Sequence, residues 1–312
     1  MKDKSKEVYL AVFYFLFVFI PVSVYSQINS KDQSVEVVGY WNNNEKLNYL
    51  IENKKYKITA TDTTKIDYYK YSVEIFVKDS ASKSYQFEWV YSRFETNIDN
   101  KLLQKLKQIN EGLKVKIITT EIGRFVGISN FEEIKQKVKP LFSAIKTEFK
   151  DTPGANQLIK EHESYYNSKD AMENVAFRDI HQYYSFYGET YKVNVDVKGK
   201  AILRNNFGGE PLNASLLVKL SEIDKEDNTS VIKLVHTVDA KQSKTAVSEA
   251  GIIVGNEKSK KFIPNSSEPM AYIEKITTRF HAPTGWVLYS GGSNEITLGK
   301  SKNIDEITFK IK

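Results

Sequence analysis

The sequence of 312 residues contains no cysteine, and this absence excludes several classes of protein. A disulfide-stabilised secreted scaffold, a cysteine nucleophile and a lipoprotein anchored through a cysteine all require the missing residue. Stability must therefore come from a hydrophobic core. Chains of this size bury about 75% of the surface that their unfolded forms expose, so such a core is attainable.

Motifs of the common enzyme classes are missing as well. The chain has no G-x-x-x-x-G-K-[ST] or G-x-G-x-x-G nucleotide loop, no H-E-x-x-H metal motif and no G-x-S-x-G nucleophile turn. Glu161, His162 and Glu163 are good ligand types, but neighbouring side chains on a helix point about 100° apart. His236 alternates with apolar residues, which favours a core histidine. We therefore predict no metal ion and no cofactor.

Long apolar runs are absent except at the N-terminus, where Val8 to Ile20 follow a lysine-rich start. These residues would cover roughly 20 Å, short of the roughly 30 Å hydrocarbon core of a bilayer. With Pro21 closing the run, we predict that residues 1–26 are a cleaved signal peptide. The alternative is an uncleaved anchor that extends through Val24. The prediction is an exported protein, periplasmic or at the cell surface, without a stable membrane span after signal removal.

The composition that remains is that of a folded, β-rich protein. Charged residues make up 27%, and aromatic residues 12%, with 19 Tyr and 17 Phe. Aromatic and β-branched residues favour strands. The net charge of +6 is a mild excess spread along the chain, so together with export it argues against nucleic acid as a partner.

Two periodicities divide the first half of the chain. Tyr71–Lys78 and Tyr85–Tyr91 alternate apolar and polar residues around a short polar loop, which predicts a β-hairpin. The spacing of leucines predicts a helix within 97–112. A second helix is predicted from a cap at Asn130 to Phe149, and a proline inside it is expected to kink or split it.

From these patterns we predict an α+β fold in which two antiparallel β-rich halves of similar plan are joined by a central helical segment. The halves are 27–150, which includes two helices, and 189–312; the central segment is 151–188. Ile118-Thr119-Thr120 and Ile276-Thr277-Thr278 occupy similar places in the two halves. An ancient duplication and the general likeness of β meanders both account for this.

The central segment carries a dense set of tyrosines that are candidate ligand-binding residues. A tyrosine ring offers a flat apolar face with a polar hydroxyl, which suits an apolar ligand or a saccharide. The alternative is that these rings pack on a sheet. The candidates are Tyr165, Tyr166, Tyr183, Tyr184 and Tyr187.

A Gly-Arg-aromatic turn at 123–125 precedes a helix start of the form Asn-Phe-Glu-Glu at 130–133. With the predicted cleavage between Ser26 and Gln27, the absence of cysteine and a Lys/Asn/Tyr-rich composition, the chain resembles secreted or periplasmic proteins of Bacteroidota that have no known activity. The resemblance implies export and an α+β fold. It implies nothing about chemistry.

The function favoured by the sequence is therefore an exported, non-catalytic envelope or surface module. Its partner would be a small apolar or saccharide ligand or another envelope protein. One alternative is a secreted hydrolase whose catalytic Asp and Glu residues are dispersed along the chain. A second is a structural envelope component without a ligand.

Overall fold

The computed structural model describes residues 27–59, 62–81, 83–203, 210–239, 241–243, 270–298 and 300–312. Residues 1–26, where the signal peptide is predicted, lie outside the described residues. Among those described, 53% are in strands and 22% in helices. The protein is thus β-rich, and the prediction of an α+β fold with two halves joined by a central helical segment is wrong.

Eleven strands form one antiparallel sheet in the order β7-β6-β5-β4-β3-β14-β13-β12-β11-β10-β9. Nearly all neighbours in this order follow one another along the chain. The exception is β3 beside β14, where Tyr49 pairs with Ile311 and Thr59 pairs with Ser301. This pairing joins the early and late strands edge to edge, so the two expected halves share a single sheet. The strands of this sheet are β3 (Lys46–Thr59), β4 (Asp62–Ala81), β5 (Ser84–Thr96), β6 (Lys114–Thr120), β7 (Phe125–Ile128), β9 (Val197–Leu203), β10 (Leu212–Asp224), β11 (Thr229–Val238), β12 (Met270–His281), β13 (Val287–Leu298) and β14 (Ser301–Ile311).

The predicted hairpin is confirmed in β4 and β5. Ile75 lies opposite Trp89, and Val77 lies opposite Phe87. All four side chains are buried, because successive residues of a strand point to opposite faces and these four share the face that is covered.

A second sheet of three short strands lies beside the large one. It consists of β1 (Ile28–Asn29), β2 (Ser34–Val37) and β8 (Glu189–Lys192), all antiparallel. Val35 and Val37 are fully buried in the same core as the large sheet.

Apart from a helical turn at 241–243, the helices described by the structure fall between β5 and β8 in the chain. They are α1 (Lys101–Lys107), α2 (Phe131–Glu148), α3 (Ala155–Ser164), α4 (Lys169–Ala171), a π-helical turn (Met172–Ala176) and α5 (Arg178–Tyr184). Helix α5 lies across the middle of the sheet: Tyr183 meets Tyr49 of β3 and Phe309 of β14. The segment therefore covers the β3–β14 junction instead of connecting two separate halves. No helix among the described residues combines the length and the apolar character that crossing a membrane requires.

Helix α2 departs from prediction at two points. It is not split at Pro140 but runs on through it, and both this residue and Gln136, whose carbonyl loses its helical partner, are exposed to solvent. Asn130 makes no side-chain cap. Its amide instead accepts from Lys116 N at 2.8 Å and donates to Lys114 O at 2.9 Å, which fixes the helix start to β6.

Candidate functional site

Most of the candidate tyrosines lie in the protein core. Tyr183 has no exposed surface and packs edge-on against Trp89, with its hydroxyl 3.2 Å from that of Tyr49. The Tyr187 hydroxyl donates to Gly285 O at 2.5 Å. These contacts are what a ring needs when it packs on a sheet, since its hydroxyl is buried with a hydrogen-bond partner.

Of the remaining candidates, two line a cavity and one does not. Tyr166 is buried and donates to Asn110 Oδ1 at 2.6 Å. Tyr184 is largely buried, and one edge of it reaches a cavity beneath α5. Tyr165 is half-buried and lines a different cavity next to α3. The structure thus brings the rings of Tyr183, Tyr184 and Tyr187 into contact with one another. Binding of a ligand by the candidate tyrosines stays a prediction.

The large cavity has a volume of about 450 Å³ and lies between α5 and strands β9, β11, β12, β13 and β14. This is within the size range of small-molecule sites. Its helix wall includes Arg178 and His181. Its sheet wall carries apolar side chains from the four strands β9, β11, β12 and β14: Ile202 and Leu203, Leu234, Tyr272 and Ile276, and Ile307.

A row of polar residues also crosses this wall. His236 pairs with Glu274, Glu274 with Asn294, Asn294 with Asp305, and Asp305 with Lys55. Residues opposite each other in antiparallel strands point to the same face, so the five side chains stand in line across the sheet. The adjacent row is apolar apart from one glycine, with Leu234, Ile276, Gly292 and Ile307 in register. The wall thus offers an apolar strip beside a polar one.

The two acids of the polar row already have partners. His236 Nδ1 lies 2.6 Å from Glu274 Oε2, and both side chains are mostly shielded from solvent. Arg178 donates to both oxygens of Asp305, at 3.1 and 3.3 Å, and to Asn53 Oδ1 at 3.2 Å. Burial alone would raise the pKa of Asp305, but the guanidinium and Lys55 together hold it below its ordinary value.

The small cavity has a volume of about 390 Å³ and lies on the other side of the Arg178–Asp305 pair. Both residues line both cavities, so this ion pair is the wall that the cavities share. The small cavity is lined by Leu103 of α1, by Ile98 in the loop before α1, and by Tyr69 of β4. Lys107, at the end of α1, also lines it.

Histidines are found at both cavities. His181 lines the large cavity, and its Nε2 is buried without a hydrogen-bond partner among the described residues. Burial lowers its pKa. His162 lines the small cavity and turns Nδ1 to Leu158 O at 3.0 Å. In the part of the chain that the structure describes, no three His, Asp or Glu side chains are grouped to hold a metal ion.

Sequence reasoning missed Arg178, Glu274, Asp305 and Lys107, and it treated His236 as a core residue. One local signal was available: Lys107 lies four residues after Leu103, so it interrupts the edge of an apolar helical stripe. The polar row has no such signal, because it arises only from the register of strands that are distant in sequence.

No protein-family model matches the chain, and no curated protein matches its sequence. Among solved structures the chain is similar to lipovitellin, in a structure described as lipid–protein interactions in lipovitellin, with a TM-score of 0.38 and 8% identity. The match covers 87% of this chain and 25% of lipovitellin, so the chain spans about a quarter of that protein's length. A TM-score of this size carries no argument about function.

Proposed function

We propose that this protein is a non-catalytic binding module that takes an amphipathic small molecule into the large cavity. The observation that carries the proposal is the sheet wall of that cavity, where the apolar strip of Leu234, Ile276 and Ile307 adjoins the polar row. An apolar body would lie on the strip. A polar end would meet Asn294 and the paired charges beside it.

The state of the carboxylates favours binding over hydrolysis. A glycoside hydrolase needs two carboxyl groups that are free to act as acid, base or nucleophile. Glu274 is hydrogen-bonded to His236, and Asp305 is held by Arg178 at two points. Both acids of the large cavity therefore have structural partners, and the dispersed-acid hydrolase has less support.

The cellular setting is part of the proposal. We propose that the module acts outside the cytoplasm, as an envelope or surface protein, and the predicted signal peptide is what supports this. A saccharide remains the competing ligand, because Tyr272 and Tyr184 present aromatic rings to the same cavity.

A fluorescence titration with 11-(dansylamino)undecanoate, an amphipathic probe, tests the proposal. We expect saturable binding that Ile202→Lys weakens about twofold or more, since it removes an apolar contact at the rim of the cavity. Ile202 is 75% exposed, so this variant should fold normally. Val126→Lys is the matched control, because Val126 is 59% exposed on the opposite edge strand and does not line the cavity.

Equal binding by the two variants would contradict the assignment of the large cavity. If maltotriose competes with the probe and dodecanoate does not, the ligand is a saccharide and the proposal of an amphipathic ligand is wrong.

A further inference from the structure

The small cavity contains a lysine without an acidic partner. Lys107 is half-buried at the end of α1, and it makes no hydrogen bond or ion pair within the described part of the chain. Its Nζ lies 4.8 Å from the ring centroid of Tyr69. A ring face attracts a cation but leaves the three N–H donors of the ammonium without an oxygen to receive them.

The other cations around Lys107 differ from it in this respect. Arg178 is paired with Asp305 at two points, and Lys55 Nζ approaches the same carboxylate at 3.7 Å. Lys105, two residues earlier on α1, reaches Glu148 at 2.6 Å on the surface. Lys107 is therefore the cation at this cavity that forms no ion pair or hydrogen bond with an acid in the described part of the chain.

Three acids line the small cavity, and none forms an ion pair or hydrogen bond with Lys107 within the described part of the chain. Asp305 is paired with Arg178, Glu161 accepts the Tyr165 hydroxyl at 3.0 Å, and Asp67 lies opposite Lys55 in the sheet. Burial, together with repulsion from Lys55 and Arg178, lowers the pKa of Lys107 to about 8, while Asp305 and Asp67 act more weakly in the opposite direction. An added anion would relieve both the burial and the repulsion.

We propose that the small cavity is a second ligand site, which binds an organic acid by placing its carboxylate at Lys107 and its apolar body between Leu103, Ile98 and the Tyr69 ring. The volume of about 390 Å³ accommodates a molecule of this kind. The site is independent of the proposed function, because Lys107, Leu103 and Ile98 line the small cavity alone.

Calorimetric titration with 4-phenylbutanoate and its neutral counterpart 4-phenylbutan-1-ol tests the site. At pH 7 we expect the acid to bind at least about tenfold more tightly than the alcohol, a difference of about 1.4 kcal/mol. Lys107→Met removes the charge and keeps an apolar stem of similar length, and it should bring the two affinities within about twofold. Lys105→Met, on the same helix, should retain the preference.

A measurement on the unaltered protein gives the same answer without a variant. The preference for the acid should decline between pH 7 and pH 9.5 as Lys107 loses its proton, while the affinity for the alcohol stays constant. Equal affinities at pH 7, a preference that Lys107→Met retains, or binding of neither compound would overturn the proposal. Ile202→Lys, which acts on the large cavity, should leave these titrations unchanged. The proposal for each cavity can therefore be contradicted without affecting the other.

Discussion

The guanidinium of Arg178 meets the carboxylate of Asp305 at 3.1 and 3.3 Å across 127 residues of sequence. Two parallel N–H···O contacts fix the orientation of both groups as well as their distance. Because Arg178 begins α5 and Asp305 lies in β14, the pair ties the helix to the centre of the sheet. It is also the partition between the two cavities.

Removing the arginine should destabilise the protein in a pH-dependent way. Arg178→Met leaves the Asp305 carboxylate without its main partner, and we expect the free energy of unfolding at pH 7 to fall by about 1–3 kcal/mol. The pKa of Asp305 lies below its ordinary value of 3.8, so the pair stabilises the fold above that pH and loses its effect as the pH falls through the lowered pKa. Urea denaturation at pH 7 and pH 3 checks this.

Asp305→Asn provides the control for that measurement. In a protein that already carries Asp305→Asn, adding Arg178→Met should cost clearly less than it does in the unaltered protein, because no uncompensated carboxylate is left behind. An equal cost in both backgrounds would show that the loss comes from packing of the arginine stem.

Asp179 should make the stability depend on pH in the opposite direction. This buried carboxylate accepts the hydroxyls of Tyr71 and Tyr91 at 3.0 to 3.2 Å, but burial still raises its pKa to about 6 from 3.8. Because the folded-state pKa is the higher one, its stabilisation is complete below about pH 4 and is lost as the pH rises through about 6. We expect a decline of about 3 kcal/mol over that range, from 1.36 kcal/mol per pKa unit.

Unfolding free energies measured at half-unit steps from pH 4 to pH 7 reveal this decline. Asp179→Asn should flatten the profile over that range. Tyr91→Phe removes one donor to the carboxylate, so it should shift the midpoint of the decline to higher pH. A profile of Asp179→Asn that still falls would place the titrating group elsewhere.

Gly292 should not tolerate a side chain. A Cβ there would lie 2.5 Å from Gln182 Oε1, so Gln182 would have to leave its hydrogen bonds to Ser290 and Ile307. Gly292→Ala should cost about 1–3 kcal/mol in thermal or chemical unfolding. Gly199→Ala is the control, since its nearest neighbour would be Leu216 at 3.6 Å, and it should be neutral or slightly stabilising. Equal effects at both glycines would argue against close packing of α5 on β13.

The tyrosine stripe should behave as core. Tyr184→Ala together with Tyr187→Ala removes two buried rings, one of which donates to Gly285, and we expect a loss of about 3–5 kcal/mol or more. Tyr40→Ala, at a ring that is 47% exposed, should cost about 1 kcal/mol or less. A double variant as stable as Tyr40→Ala would restore these rings to the list of ligand-binding candidates.

Local patterns in the sequence predicted local structure well. The alternation in β4 and β5 and the apolar stripe of α2 need only the periodicities of a strand and a helix, and both elements form. The single sheet could not be predicted in this way. It depends on the pairing of β3 with β14, and no local pattern encodes which distant strand becomes a neighbour.

The same limit applies to the sites. His236, Glu274, Asn294 and Asp305 are unremarkable positions in four separate strands, and only the register of the sheet aligns them. The tyrosines were visible because they are close together in sequence. Their closeness reflects one helix face packed on a sheet, which produces the same spacing as a binding surface.

Photo-crosslinking with an alkyl-diazirine carboxylate, mapped by peptide mass spectrometry, tests the central claim most directly. If an amphipathic ligand occupies the large cavity, the label should concentrate on Leu203, Leu234 and Ile276, and unlabelled dodecanoate should compete it away. Ile202→Lys should reduce this labelling, and Val126→Lys should not. Labelling spread over exposed apolar residues such as Tyr40 and Val126, without competition, would contradict the account.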